Sequence, residues 1–109
     1  MRLKQGVELR GVTPEVTVGI NIAHALWVAR HDAFPFVLTS VTDSTHGWAS
    51  EHYQGNAFDL RVRDPGGAWS LTEEQRKKYV ASLKSRLGAE FDVVLEATHI
   101  HVEWQPKGG

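Results

Sequence analysis

Two segments of this chain alternate with period two, and each sorts apolar residues to one side and reactive ones to the other. In residues 57–63, Phe58, Leu60 and Val62 fall on one side, with Ala57, Asp59, Arg61 and Arg63 opposite. In residues 99–104, Ile100, Val102 and Trp104 alternate with His99, His101 and Glu103. A repeat of two is that of a β-strand with one buried face. A chain with two such strands is bound to a sheet that needs an apolar cover on one face and leaves the other polar.

The cover is legible as two helices. Thr13-Pro14-Glu15 combines a capping hydroxyl, a proline suited to the first helical position and an acid near the positive end. Val16, Ile20, Ala23, Trp27 and Val28 follow at helical spacing, and the helix is expected to end near His31-Asp32. Ser70-Leu71-Thr72-Glu73 fits a capping box that opens a second helix, with Val80, Leu83 and Leu87 inward and Gly88 as its stop. Residues 36–41 and 91–95 read as further strands, residues 42–50 as a polar loop, and Asp64-Pro65-Gly66-Gly67 as a turn. The expected fold class is α+β: a small antiparallel sheet with two helices packed against it.

Length and charge narrow the function. The 109 residues suit one domain spanning 1–109, with poorly ordered ends at 1–5 and 105–109. Thirteen acidic against twelve basic residues give a net charge of −1, so no electrostatic footprint for nucleic acid is expected. The densest basic run, Arg76-Lys77-Lys78, reads as a solvated helix face. The chain has no cysteine, which excludes disulfides and thiolate metal sites. No apolar run nears the ~20 residues of a membrane span. Met1-Arg2-Leu3-Lys4-Gln5-Gly6 lacks the apolar core of a secretory signal, so export is expected to depend on something else. A monomer is expected.

The polar sides of the two alternating strands carry the chemistry. If the strands are neighbours, Asp59 and His101 face each other at cross-strand distance. His52 comes from the loop ahead of the first strand, where Gly55 permits a tight turn. Three ligands of this kind with one side open match a catalytic zinc site. Ala57, on the side of Asp59, is expected to leave room above the sheet. Glu96, just before a bend at Ala97-Thr98, can reach a bound water without being a ligand, as a general base must.

The pattern Ser50-x-His52-x-x-Gly55-x-Ala57-x-Asp59, followed by Glu96 and His99-Ile100-His101, resembles the zinc peptidase family of D-alanyl-D-alanine carboxypeptidases and L-alanyl-D-glutamate endopeptidases. Hedgehog signalling domains share that fold, and the chain looks most like the short versions encoded by bacteriophages. The resemblance runs from about residue 13 to residue 104. It implies Zn2+ held by His52, Asp59 and His101, Glu96 as general base, and His99 as the group that stabilises the oxyanion or positions water. A Glu three residues ahead of a His would nominate His99 as the ligand, whereas the His-Ile-His form favours His101. The implied partners are peptidoglycan stem peptides. The implied setting is a phage protein made in the host cytoplasm and acting on the cell wall, in lysis or at a tail.

One departure bears on specificity. Carboxypeptidase members carry an Arg after the first core strand to bind a terminal carboxylate, and this chain has Ser40-Val41-Thr42-Asp43 there. Arg61, on the side of Asp59, is the candidate substitute, and Ser50 a second candidate for substrate binding or for supporting an imidazole, as is Glu103 for the latter. The missing clamp favours an endopeptidase. His24 and His31 read as structural or exposed, and His46 and Asp43 as loop residues. Trp48, Tyr53 and Trp69 suit either a cleft wall or packing. The competing functional class is a zinc-binding recognition or structural phage module without turnover.

Overall fold

The computed structural model describes residues 1–7, 13–42 and 57–105. In chain order these form β1 (Arg2–Leu3), α1 (Pro14–His31), β2 (Val37–Thr42), β3 (Ala57–Arg61), α2 (Glu73–Leu87), β4 (Phe91–Leu95) and β5 (His99–Trp104). The strands make one five-stranded sheet in the order β1-β2-β3-β5-β4. The described residues therefore form an α+β fold, as the alternation predicts. The sheet is mixed rather than wholly antiparallel, because β1 runs parallel to β2, with Arg2 beside Val37 and Leu3 beside Leu38. Residues 2–3, expected to be loose, are held by this ladder: the amides of Arg2 and Lys4 donate to the carbonyls of Phe36 and Leu38.

Helix α1 begins as its sequence dictates. Thr13 caps it, its hydroxyl accepting from the Val16 amide at 3.2 Å, and Pro14 loses nothing at a position whose N–H has no helical partner. Val16, Ile20, Ala23 and Trp27 are buried. Val28 is 47% exposed, against expectation. At 100° per residue it lies a full step past Trp27, off the centre of the stripe. Gly19 sits close against side chains of the sheet: a Cβ there would stand 3.1 Å from the Phe91 ring.

Helix α2 starts two residues later than expected. Its cap is Thr72, and the reciprocal partner is Gln75: the Gln75 amide donates to the Thr72 hydroxyl at 3.1 Å, and the Thr72 amide to the Gln75 side chain at 2.8 Å. Ser70 and Leu71 belong to an extended stretch, since the Leu71 amide donates to the Val62 carbonyl and Ser70 bridges to Arg63. Tyr79 and Leu83 form the buried stripe of α2, with Val80 and Leu87 partly buried beside them. The Tyr79 hydroxyl donates to the Ala23 carbonyl of α1 at 2.6 Å, which satisfies a buried polar atom and joins the two helices. Gly88 ends α2 at φ +84°, a conformation that costs glycine little.

The core lies between the helices and one face of the sheet. Trp27 is its centre: its ring meets Tyr79 edge-on at 5.4 Å, and its indole N–H donates to the Phe34 carbonyl at 2.8 Å. Trp69 stacks on Phe34 at 5.1 Å and meets Trp27 at 6.0 Å, so it is a packing residue rather than a cleft wall. From the sheet, Leu38, Phe58, Leu60, Ile100 and Val102 point into this core. His31, the last residue of α1, is also buried.

Candidate functional site

The core packing fixes which residues face away. With Phe58, Leu60, Ile100 and Val102 directed inward, alternation directs Asp59, Arg61, His99, His101 and Glu103 outward. Register then sets the pairs: Asp59 lies opposite His101, Arg61 opposite His99, and Ala57 opposite Glu103. The expected neighbour relation of β3 and β5 holds. Strand β2 carries one extra residue at Thr39 between its Leu38–Leu60 and Ser40–Asp59 pairings, a bulge beside the site.

Strands β4 and β5 are joined by Glu96-Ala97-Thr98 alone. The Glu96 amide donates to the His99 carbonyl at 2.9 Å, closing the hairpin, and the Val62 amide donates to the Thr98 carbonyl at 3.0 Å, tying the turn to the end of β3. No non-glycine residue among those described has positive φ, so this turn is not one of the mirror-image types usual in two-residue hairpins. Its effect is to set Glu96 and His99 side by side. Glu96 Oε1 lies 3.0 Å from His99 Nε2, and His99 Nδ1 lies 3.3 Å from the Thr98 hydroxyl.

The inner part of the cluster is tighter. His101 Nδ1 lies 2.7 Å from Asp59 Oδ1, and His101 Nε2 lies 2.9 Å from Glu103 Oε1. Glu103 is itself held, its other oxygen accepting from the Gln105 side chain at 3.0 Å. His99 Nε2 approaches Asp59 Oδ2 at 3.7 Å. Partial burial works against a charge on His101, but the hydrogen bonds and negative charges of Glu103 and Asp59 outweigh it and raise its pKa above the usual histidine value.

Asp59, His99, His101 and Glu96 are thus brought together as the sequence predicts. Glu103 supports the ring of His101. Ala57 is buried rather than open above the sheet. Arg61 and His99 line an open groove of about 370 Å3 on the same face. His52 and Ser50 lie outside the described residues, as do Asp43, His46, Trp48 and Tyr53. Among the described residues no group of three or more His, Asp or Glu side chains could hold a metal ion; Asp59 and His101 supply two donors. These two fit a metal in one respect. In this arrangement both ring nitrogens donate, Nδ1–H to Asp59 and Nε2–H to Glu103; a metal taking the place of the Nδ1 proton would have Nδ1 and Asp59 Oδ1 on either side of it while Nε2–H stays on Glu103.

The groove beyond His99 was missed as a site by sequence reasoning. Its signal was present in part: Arg63 shares the polar side of the 57–63 alternation with Arg61, whereas nothing in the sequence brings Lys4 to the same place. Comparison of the chain with protein-family models, with curated proteins and with solved structures finds no match in any of the three.

Proposed function

We propose that this protein is a zinc-dependent peptidase that cuts peptide bonds of bacterial cell-wall peptidoglycan, of the D-alanyl-D-alanine carboxypeptidase and L-alanyl-D-glutamate endopeptidase type with its hedgehog-like fold, and that it serves a bacteriophage in lysis or at a tail. The observation that supports this most is the pairing of Asp59 with His101 at 2.7 Å beside the Glu96–His99 pair, all on the face of the sheet turned away from the helices. Asp59, His101 through Nδ1, and His52 would hold the zinc ion. Bound there, zinc would supply a Lewis acid and make a water molecule acidic near neutral pH.

The chain's own groups do the rest. Glu96, about half exposed, takes a proton from the attacking water as its oxygen adds to the scissile carbonyl carbon. His99 donates to the carbonyl oxygen as negative charge develops on it. The C–N bond then breaks, and the departing amine takes the proton that Glu96 received. Glu103 fixes the His101 ring, leaving Nδ1 as the ligating atom.

The test pairs zinc content with clearing of purified cell walls, for wild type and Glu96→Ala. The reading expects about one zinc per chain in both proteins and clearing by wild type only. Zinc without clearing in wild type would assign the fold to a recognition module, and a protein purified without chelator that holds no zinc would end the metal reading. Mass spectrometry of the released muropeptides identifies the bond that is cut.

A further inference from the structure

Three cations from three separate segments converge on the groove next to His99. Lys4 arrives from the end of β1, Arg61 from β3, and Arg63 from the stretch that follows it, and Thr39 and Thr98 belong to the same lining. Among the described residues no carboxylate lines this groove, although the chain has one more acid than base. Among the described residues, the ion pairs are those of Glu73, Glu74, Glu96, Asp59 and Glu103, and none of these involves Lys4, Arg61 or Arg63. Asp64, next in sequence to Arg63, instead accepts from the Ala68 amide at 2.9 Å.

The backbone under each cation is fixed. The Lys4 amide donates to Leu38 and its carbonyl accepts from Val7; Arg63 bridges to Ser70; Arg61 is paired with His99. Charges held this way differ from a run of lysines on a helix, because the fold places them together and like charges repel unless an anion joins them. Two guanidinium groups suit the flat, two-oxygen acceptor of a carboxylate. His99 belongs both to the groove and to the Glu96–His99 pair, so an anion seated here lies one side chain from the reacting centre.

We propose that this groove is an oxyanion subsite that seats a carboxylate of the peptide being cut, with Lys4, Arg61 and Arg63 as its cationic wall. The inference rests on the peptidase reading for the identity of its ligand and on the groove itself for the chemistry. It makes the enzyme selective for acidic stem peptides over amidated ones.

The test is an NMR titration of the whole chain with glutarate, its neutral isostere glutaramide and inorganic phosphate at low salt. Arginine Nε and histidine ring signals report binding without turnover. Glutarate is expected to shift the Arg61, Arg63 and His99 signals, and glutaramide to leave them unchanged. Lys4→Gln with Arg63→Gln should weaken glutarate about three- to tenfold, the range that two exposed ion pairs support. Both residues are exposed, and circular dichroism checks that the double variant folds. Equal binding of glutaramide, or glutarate binding untouched in the double variant, overturns the proposal; phosphate bound more tightly than glutarate, and lost in the same variant, reassigns the groove to phosphate and overturns the carboxylate assignment. Because the readout needs neither zinc nor wall clearing, a failed clearing assay removes the stem peptide as the ligand but not the carboxylate-binding groove, and a failed titration leaves the peptidase reading intact.

Discussion

The inner and outer faces of β3 and β5 are built from alternate residues of the same two strands, yet they are held in different ways. On the inner face Phe58, Leu60, Ile100 and Val102 are almost wholly buried against Trp27, Tyr79 and their neighbours. That packing is non-directional and scales with the area removed from water. On the outer face the two imidazoles are aimed by particular atoms: His101 by Asp59 and Glu103, His99 by Glu96 and Thr98. The difference teaches that stability and chemistry are separable here, residue by alternate residue.

Substitutions can break that separation or sharpen it. The largest effect is expected from Glu96→Gln, which should lower wall-clearing turnover by about 10²–10⁴-fold, the usual worth of a general base, with the melting temperature unchanged. A fall in melting temperature to match would show that the two faces are coupled. The inner-face counterpart, Trp27→Ala, should cost about 3–5 kcal/mol of stability in urea unfolding, a large share of what a small domain has. Glu103→Gln should weaken zinc binding by about 10–100-fold, measured by competition with a chelator, as other supports of ligating histidines do.

The smallest effect concerns His31, where the inner face holds an ionisable group. Burial, then the positive charge of Arg30, lowers its pKa below the usual histidine value, and its Nε2 is buried without a hydrogen-bond partner among the described residues. The unfolded chain therefore takes up a proton before the folded chain does as pH falls. The contribution of His31 is fully present above about pH 6.5, the ordinary histidine pKa, and is lost as pH drops from there to the lowered value. His31→Phe should remove this dependence, read as a smaller difference between urea midpoints at pH 7.5 and pH 5. The ring would sit among Trp27 and Tyr79, whose centroids lie 5.3 and 5.9 Å from that of His31.

How much of this was legible in the sequence follows the same division. The alternation of Phe58, Leu60, Ile100 and Val102 gave the faces, and with them the opposition of Asp59 and His101, because burial has a period that a sequence displays. Thr13-Pro14 gave the start of α1 for an equally local reason. Degeneracy misplaced the start of α2: Ser70-x-x-Glu73 and Thr72-x-x-Gln75 both satisfy the capping pattern, and the choice is made by Leu71, whose amide is already bonded to Val62. Strand β1 was invisible because two exposed residues at a chain end have no period, and parallel pairing with β2 is a long-range event. The same long-range pairing carries Lys4 to Arg61 and Arg63, so the cationic groove could not be assembled from local pattern alone.

The short link Glu96-Ala97-Thr98 has a consequence for fidelity. Strand β5 is laddered on both sides, by β3 and by β4, and its start is closed by that link. A slip of one residue would set Ile100 or Val102 opposite Asp59 and turn both imidazoles toward the helices. Exposing two such apolar side chains would cost about 1.5–3 kcal/mol each, so the misaligned hairpin is strongly disfavoured against the native register. Ile100 and Val102 touch no reactant, yet they act as the proofreaders of the site.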